Sequence, residues 1–138
     1  MKKDIDKIIH FLDEHHILSL ATSFEDELSV CNLFYAYDKQ NNAFIVASDE
    51  NTNHIKHILQ NNKVAGTVVL ETKQVGKIQG VQFQAIMKKS TNEREKKLYF
   101  DAFPYAKLLN PTLWSIQVYF FKMTDNKLGF GKKIIISL

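Results

Sequence analysis

Residues 48 to 58 read SDENTNHIKHI and follow directly on the apolar run AFIVA. A strand that leaves a core, turns through polar residues and starts a helix on hydroxyl, amide and imidazole side chains is a place where an anion could be held. The first N–H groups of a helix have no partner inside it and carry a partial positive charge. Ser48, Thr52, Asn53, His54 and Lys56 would surround such an anion, while Asp49 and Glu50 would oppose it unless they point away. An ordinary capped helix fits the same residues, because Thr is a common N-cap.

Other chemistry is thinly supplied. His54 and His57 stand three apart, near one face of a helix, and His15 and His16 form a second pair, but no convincing third ligand accompanies either, so no metal site is expected. Cys31 is the lone thiol, no G-x-S-x-G occurs, and no carboxylate pair lies in an apolar setting that would separate two pKa values. A hydrolase is therefore not expected. Arg94 is the only arginine and lies in TNEREKK, which reads as an exposed helix face. Any phosphate must then be held by lysine, histidine, hydroxyls and backbone N–H groups rather than by a guanidinium fork.

The bulk properties narrow the field further. At 138 residues, 45% hydrophobic and 12% aromatic, the chain is long enough for one domain, residues 1–138, burying ~65–70% of the surface of its unfolded form. The formal charge is +3, and the lysine pairs at 88–89, 96–97 and 132–133 read as solvated faces rather than a phosphate track, so nucleic acid is not an expected partner. No apolar run approaches the ~18–20 residues of a membrane helix. With one cysteine and no leader-like pattern at the start, a soluble cytoplasmic protein is expected.

The elements that must position the SDENTNHIKHI turn follow from periodicity. Ile5, Ile8, Ile9 and Leu12 have helical spacing behind Asp4, giving an opening helix that ends near His15. ILSLATS, LSVCNLFYAY and AFIVAS are short and rich in β-branched and aromatic residues, and the turns FEDE and DKQNN between them predict consecutive antiparallel strands. A short helix from about Thr52 to Gln60 comes next, then a strand pair, KVAGTVVLE and KIQGVQFQAIMKK, around KQVG. In the second of these Val81, Phe83 and Ala85 face inward, leaving Gly80, Gln82 and Gln84 on the other face. Ser90 and Glu93 have capping-box spacing for a further helix that Pro104 ends or kinks. LWSIQVYFFKM and FGKKIIISL are two final strands about the turn TDNKLG. The fold class expected is mainly β, a small barrel of about seven strands with inserted helices, because a short sheet with this many strands usually closes to remove its edges.

CNLFYAYD at 31 to 38, SDENTNHIKHI, VAGTV at 64 to 68, IQGVQF at 78 to 83 and above all TDNKLGFGKK at 124 to 133 carry a resemblance over nearly the full length. The chain resembles the pyridoxamine 5'-phosphate oxidase-like FMN-binding split barrels and, within them, the YhbP-like subgroup. The resemblance implies a homodimer with FMN at the interface and the flavin phosphate near the turn after the third strand. Ser48, Thr52 and His54 occupy the matching places, with histidine where the oxidases have lysine, and Lys56 one step on. The oxidases also carry an arginine and a lysine where this chain has Val30 and Tyr35, so the phosphate grip is expected to be weaker or different.

Further site residues follow from the same likeness. The backbone of Asn32, Leu33 and Phe34 is implied along the flavin ring, Gln79 or Lys77 and Trp114 near it, and Lys132 with Lys133 within reach of the phosphate, across the dimer. Each has a plainer alternative: a buried bond for Asn32, solvent exposure for Gln79, core packing for Trp114 and edge protection for the lysines. The function expected is an FMN-dependent oxidoreductase acting on a small molecule. The alternatives are a non-catalytic binder of flavin or haem, and a dimer that has lost its cofactor.

Overall fold

The computed structural model describes residues 2–138. It opens with α1 (Lys2–Glu14), followed by β1 (Ile17–Phe24), β2 (Glu27–Asp38) and β3 (Ala43–Ala47). Helix α2 (Asn53–Gln60), strands β4 (Lys63–Val69) and β5 (Gln79–Lys89), helix α3 (Glu93–Ala102) and strands β6 (Leu113–Asp125) and β7 (Lys133–Ser137) complete it, with short 3₁₀ turns at Val75–Lys77, Pro104–Leu109 and Asn126–Leu128. Every pairing in the sheet is antiparallel. The order is β3-β2-β1-β4-β5-β6-β7, and a further β3–β6 pairing closes the first six strands into a barrel, with β7 attached outside. The expected mainly-β split barrel is thus the fold observed.

Strand β6 makes the closure possible. Its 13 residues give the first half to β3, from Leu113 opposite Ala47 to Gln117 opposite Ala43. The second half goes to β7, from Phe120 opposite Ser137 to Thr124 opposite Lys133. The interior is filled rather than hollow, with Trp114, Phe44, Phe83 and Phe121 among its largest fully buried side chains. Phe44 and Phe83 sit 4.6 Å apart between ring centroids. Ile8, Phe11 and Leu12 of α1 and Ile55 and Ile58 of α2 join the same core. Gly66 is required at its place in β4, because a Cβ there would overlap both the Ser19 carbonyl and the Phe83 ring.

Helix α3 covers the outside of the barrel where β2 ends and β3 begins, over a second apolar cluster of Ala36, Ala43, Ile45, Tyr99 and Leu113. Two sequence expectations change here. Asn92, not Ser90, caps α3, its side chain accepting from the N–H groups of Arg94 and Glu95. Ser90 donates instead to the Glu95 carboxylate at 2.6 Å. Arg94 does not lie idle on an exposed face: its guanidinium grips Asp38, a 2% exposed carboxylate, through two bonds of 2.8 and 2.7 Å. The partner lies 56 residues away in sequence, which is why local pattern could not reveal it.

Those hydrogen bonds outweigh desolvation and hold the Asp38 carboxyl below the usual carboxylate range. The pair's contribution is therefore complete above the unfolded value of about 3.9 and is lost as the pH falls through the lower folded value. Arg94→Ala should lower the melting temperature at neutral pH and remove that part of the acid dependence below about pH 4, read by thermal melts across the acid range. Gly66→Ala should cost about 1–3 kcal/mol or more by overpacking, measured by urea denaturation; a wild-type midpoint would show that β4 and Phe83 move apart freely.

Candidate functional site

The turn after β3 is built by the sheet closure itself. Ser48 N–H donates to Thr112 O at 3.0 Å, and the indole N–H of Trp114 donates to Ser48 O at 2.9 Å. Trp114 is 2% exposed, so its ring is core and only its N–H reaches the turn. This agrees with its packing alternative. The side chain of His54 folds under the turn, its Nε2 lying 2.5 Å from Ser48 Oγ and 3.3 Å from Thr52 Oγ1. The three residues aligned with a phosphate site thus form one hydrogen-bonded cluster.

Thr52 Oγ1 donates to Asp49 O at 2.8 Å, which uses its only proton. Thr52 occupies the N-cap position of α2 with extended backbone, yet makes no side-chain cap bond. No described residue accepts from the N–H groups of Asn53, His54 or Ile55, the first internal bond being Lys56 N–H to Thr52 O. The opening turn of α2 therefore presents uncapped donors, as an anion site requires.

The two carboxylates that could repel an anion are turned aside. Asp49 Oδ1 accepts from Asn51 N–H at 2.8 Å, and Glu50 pairs with Lys89 at 3.0 Å. Asn53 is exposed, as is Lys56. His54 supplies no charge of its own, since burial, reinforced by the neighbouring His57, pushes its imidazole below the ordinary value. One turn along the helix, buried His57 bonds Thr22 Oγ1 through Nδ1 at 2.9 Å. Its Nε2 has no hydrogen-bond partner, the Glu27 carboxylate standing 3.5 Å off.

The outer face of the sheet is the second component. Strand register lines up Asn32, Ser19, Thr67, Gln82, Lys122 and Ile135 in one row across six strands, and Val30, Ala21, Ala65, Gln84, Phe120 and Ser137 in the next. Small side chains occupy the middle, and a shallow cleft of about 270 Å³ lies over Ala21, Ala65, Thr67, Gln82, Gln84 and Phe120. Asn32 accepts from Ser19 Oγ at 2.8 Å on this face; Asn32 is exposed and Ser19 half-buried, so the bond is not a buried one. Leu33 turns inward against the core, while Val30 and Phe34 project outward, 73% and 56% exposed. Sequence reasoning did not single out Ser19, Ala21, Ala65 or Thr67, although their alternation with Leu18, Leu20, Val64 and Val68 was a readable signal.

The remaining expected residues lie elsewhere. Gln79 donates to the buried Asp125 at 3.2 Å rather than facing solvent. Beside it Asn126 ties two turns together, donating to Val75 O at 2.8 Å and accepting from Gly131 N–H at 2.9 Å. Lys132 and Lys133 extend from that loop and are exposed. Gln79 and Lys89 stand at opposite ends of β5, ~30 Å apart at ~3.3 Å per residue, and Lys89 is the end that meets the Ser48 turn. Within one protomer the Gln79–Lys132 group and the α2 turn cannot share a ligand.

Because the folded-state value of His54 is depressed, its contribution to stability is complete above about pH 6.5 and declines as the pH falls below it. An imidazole NMR titration should place the His54 midpoint below the ordinary imidazole value of about 6.5. Denaturation midpoints should fall across the same window, and less so in His54→Gln. A His54 midpoint at or above about 6.5 would remove the neutral, hydrogen-bonded cluster described above.

No family model matches the chain. Among curated proteins, a UPF0306 protein of Klebsiella pneumoniae is 39% identical over 127 residues, covering 90% of this chain and 86% of the relative. The UPF0306 protein YhbP of Escherichia fergusonii is 37% identical over 131 residues, covering 93% and 89%. Among solved structures, a protein of Clostridium acetobutylicum related to general stress protein 26 (pyridoxinephosphate oxidase family) superposes with a TM-score of 0.76 at 13% identity, covering all of this chain and 96% of that one. A FAD-binding protein of Mesorhizobium loti gives 0.74 at 12% identity, with 86% and 90% covered. A heme binding protein of Mycobacterium smegmatis gives 0.74 at 13%, with 88% and 52% covered.

Proposed function

The chain belongs to the UPF0306 family, and from that premise we propose that it is a homodimeric FMN-binding protein whose flavin phosphate sits on the opening turn of α2. The observation that carries this reading is the uncapped helix start: three N–H groups without protein partners, framed by Ser48 and Thr52, with Asp49 and Glu50 engaged elsewhere. Backbone donors and Lys56 replace the arginine of the resembling oxidases, whose place is taken by the outward Val30. The names of the structural neighbours, which include flavin and haem binders, make a cofactor the economical explanation for such a site.

The ring would lie against the backbone of Asn32, Leu33 and Phe34 along the outer face. The opposed positions of Lys132 and the α2 turn support a two-copy site, because only a second copy could bring Gln79 and Lys132 to the same ligand. The exposed apolar row Leu28, Val30 and Phe34 and the small residues beside it suit burial against that copy.

Bound FMN would supply hydride or electron chemistry, and the protein would hold and orient it. We read the protein as an oxidoreductase acting on a small molecule. The second reading, a carrier or sensor of flavin or haem without turnover, is favoured for flavin by the absence of any acid or histidine among the central outer-face residues Ser19, Ala21, Ala65, Thr67, Gln82 and Gln84, which equally leaves haem without an axial ligand on that face. Oxidation of NADH by the FMN-loaded protein would favour the first, and retention of ligand without turnover the second.

Asn53→Pro tests the phosphate assignment directly. Proline is favoured at the first helical position and suits the extended backbone of Thr52, so it deletes one N–H while keeping the helix. Its FMN affinity should fall about tenfold, the scale of a charge-assisted bond, with riboflavin affinity unchanged; equal loss of both, or of neither, would refute the site. Val30→Glu should convert dimer to monomer in sedimentation and weaken FMN in parallel. A variant that stays dimeric would move the interface off this face.

A further inference from the structure

On the other side of Lys89 from the α2 turn, a groove of about 510 Å³ runs between the start of α3 and the ends of β5 and β6. Its walls are polar, Ala43 being the one apolar residue that lines it. Glu95 lies in the wall, 7% exposed, and Ser90 Oγ donates to its Oε1 at 2.6 Å. Its other carboxylate oxygen has no hydrogen-bond partner among the described residues, and no cation pairs with it. Among the described residues only His57 Nε2 is a sealed side-chain polar atom without a partner, so this oxygen keeps contact with solvent, and Glu95 is one of the residues lining the groove. A carboxylate this enclosed, with a single neutral donor, is under-satisfied and favours a positively charged partner.

A cation stands ready for an anion on the same wall. Lys88 is directly opposite Ser115 in the β5–β6 register, lines the groove and has no acidic partner among the described residues. Its neighbour Lys89 is already paired with Glu50. The groove thus sets an unpaired carboxylate and an unpaired ammonium around hydroxyl and amide groups from Ser90, Ser115 and Gln117. A neutral sugar would use the hydroxyls and amides but neither charge, and no aromatic face is present for it to stack on.

We propose that this groove is a second ligand site, for a small zwitterion of the amino-acid class, with the ligand's ammonium on Glu95 and its carboxylate on Lys88. The site is separate from the proposed flavin site and does not depend on it. Titration of the ¹⁵N-labelled protein with glycine, β-alanine and γ-aminobutyrate, each at millimolar concentration, should shift the amide signals of Lys88, Ser90, Asn92, Glu95 and Ser115. Ethylammonium, acetate and glucose should each shift them far less. Glu95→Gln keeps an acceptor for Ser90 and should fold normally; it and Lys88→Gln should each weaken the zwitterion by about tenfold or more, with FMN affinity unchanged. No shift with any of the three zwitterions, a response to glucose alone, or undiminished binding in both variants would overturn the proposal.

Discussion

The pairing of β3 with the first half of β6 is the contact on which the rest of the molecule depends. It turns an open antiparallel sheet into a barrel, leaving β3 without a free edge and letting β3 bury side chains on both faces. It also runs straight on into the candidate site. The bond from Ser48 to Thr112 continues the ladder by one step, and the Trp114 indole locks the next carbonyl. The chain then has to leave the sheet at a fixed angle, which sets the direction in which α2 begins. A polar turn on an unclosed sheet would have no such definition, and donors that are not held in place lose most of their value to a ligand.

Closure also explains where function can reside in this fold. Aromatic rings fill the barrel, and Gly66 is needed merely to admit Phe83, so no ligand can enter the interior without unpacking it. Binding must therefore use the outside: turns at the barrel ends, the outer sheet face, or the margins of α3. Barrel-facing positions are constrained by volume, whereas outward positions are free to change chemistry. Neighbours of similar fold at 12–13% identity show how far the side chains can change while the barrel is kept.

Much of this arrangement was legible in the sequence because it is local. Alternation assigned the faces of β5, turn residues separated the strands, and the stretch SDENTNHIKHI located a helix start of unusual composition. Most of what escaped was set by distant partners. Arg94 read as an exposed side chain because its carboxylate, Asp38, is on another strand. Ser90 and Glu93 had capping-box spacing, but Asn92 was closer to the first turn and Glu95 turned back to Ser90. Gln79 read as a flavin neighbour, with solvent exposure as the plainer alternative, and neither choice named Asp125, which the far end of β6 brings beside it. For Arg94 and Gln79 a side-chain bond across the fold decided the outcome, whereas at α3 the competing caps were all local.

The helix start also shows why a missing arginine need not mean a missing anion. An arginine contributes charge and a planar pair of donors, whereas the opening turn of α2 contributes fixed donors and a partial charge without long-side-chain entropy to lose. Its geometry depends on the Thr52 hydroxyl being turned to the Asp49 carbonyl, an orientation in which its oxygen accepts from none of the helix N–H groups. Had Thr52 capped α2, one of the donors would already be satisfied. The Asp49 carbonyl thus keeps the helix open, and the same turn binds the Asp49 carboxylate to Asn51, away from the donors. Asp49, whose charge argues against an anion when read singly, is through its bonds the residue that leaves room for one, and Glu50 is held aside by Lys89.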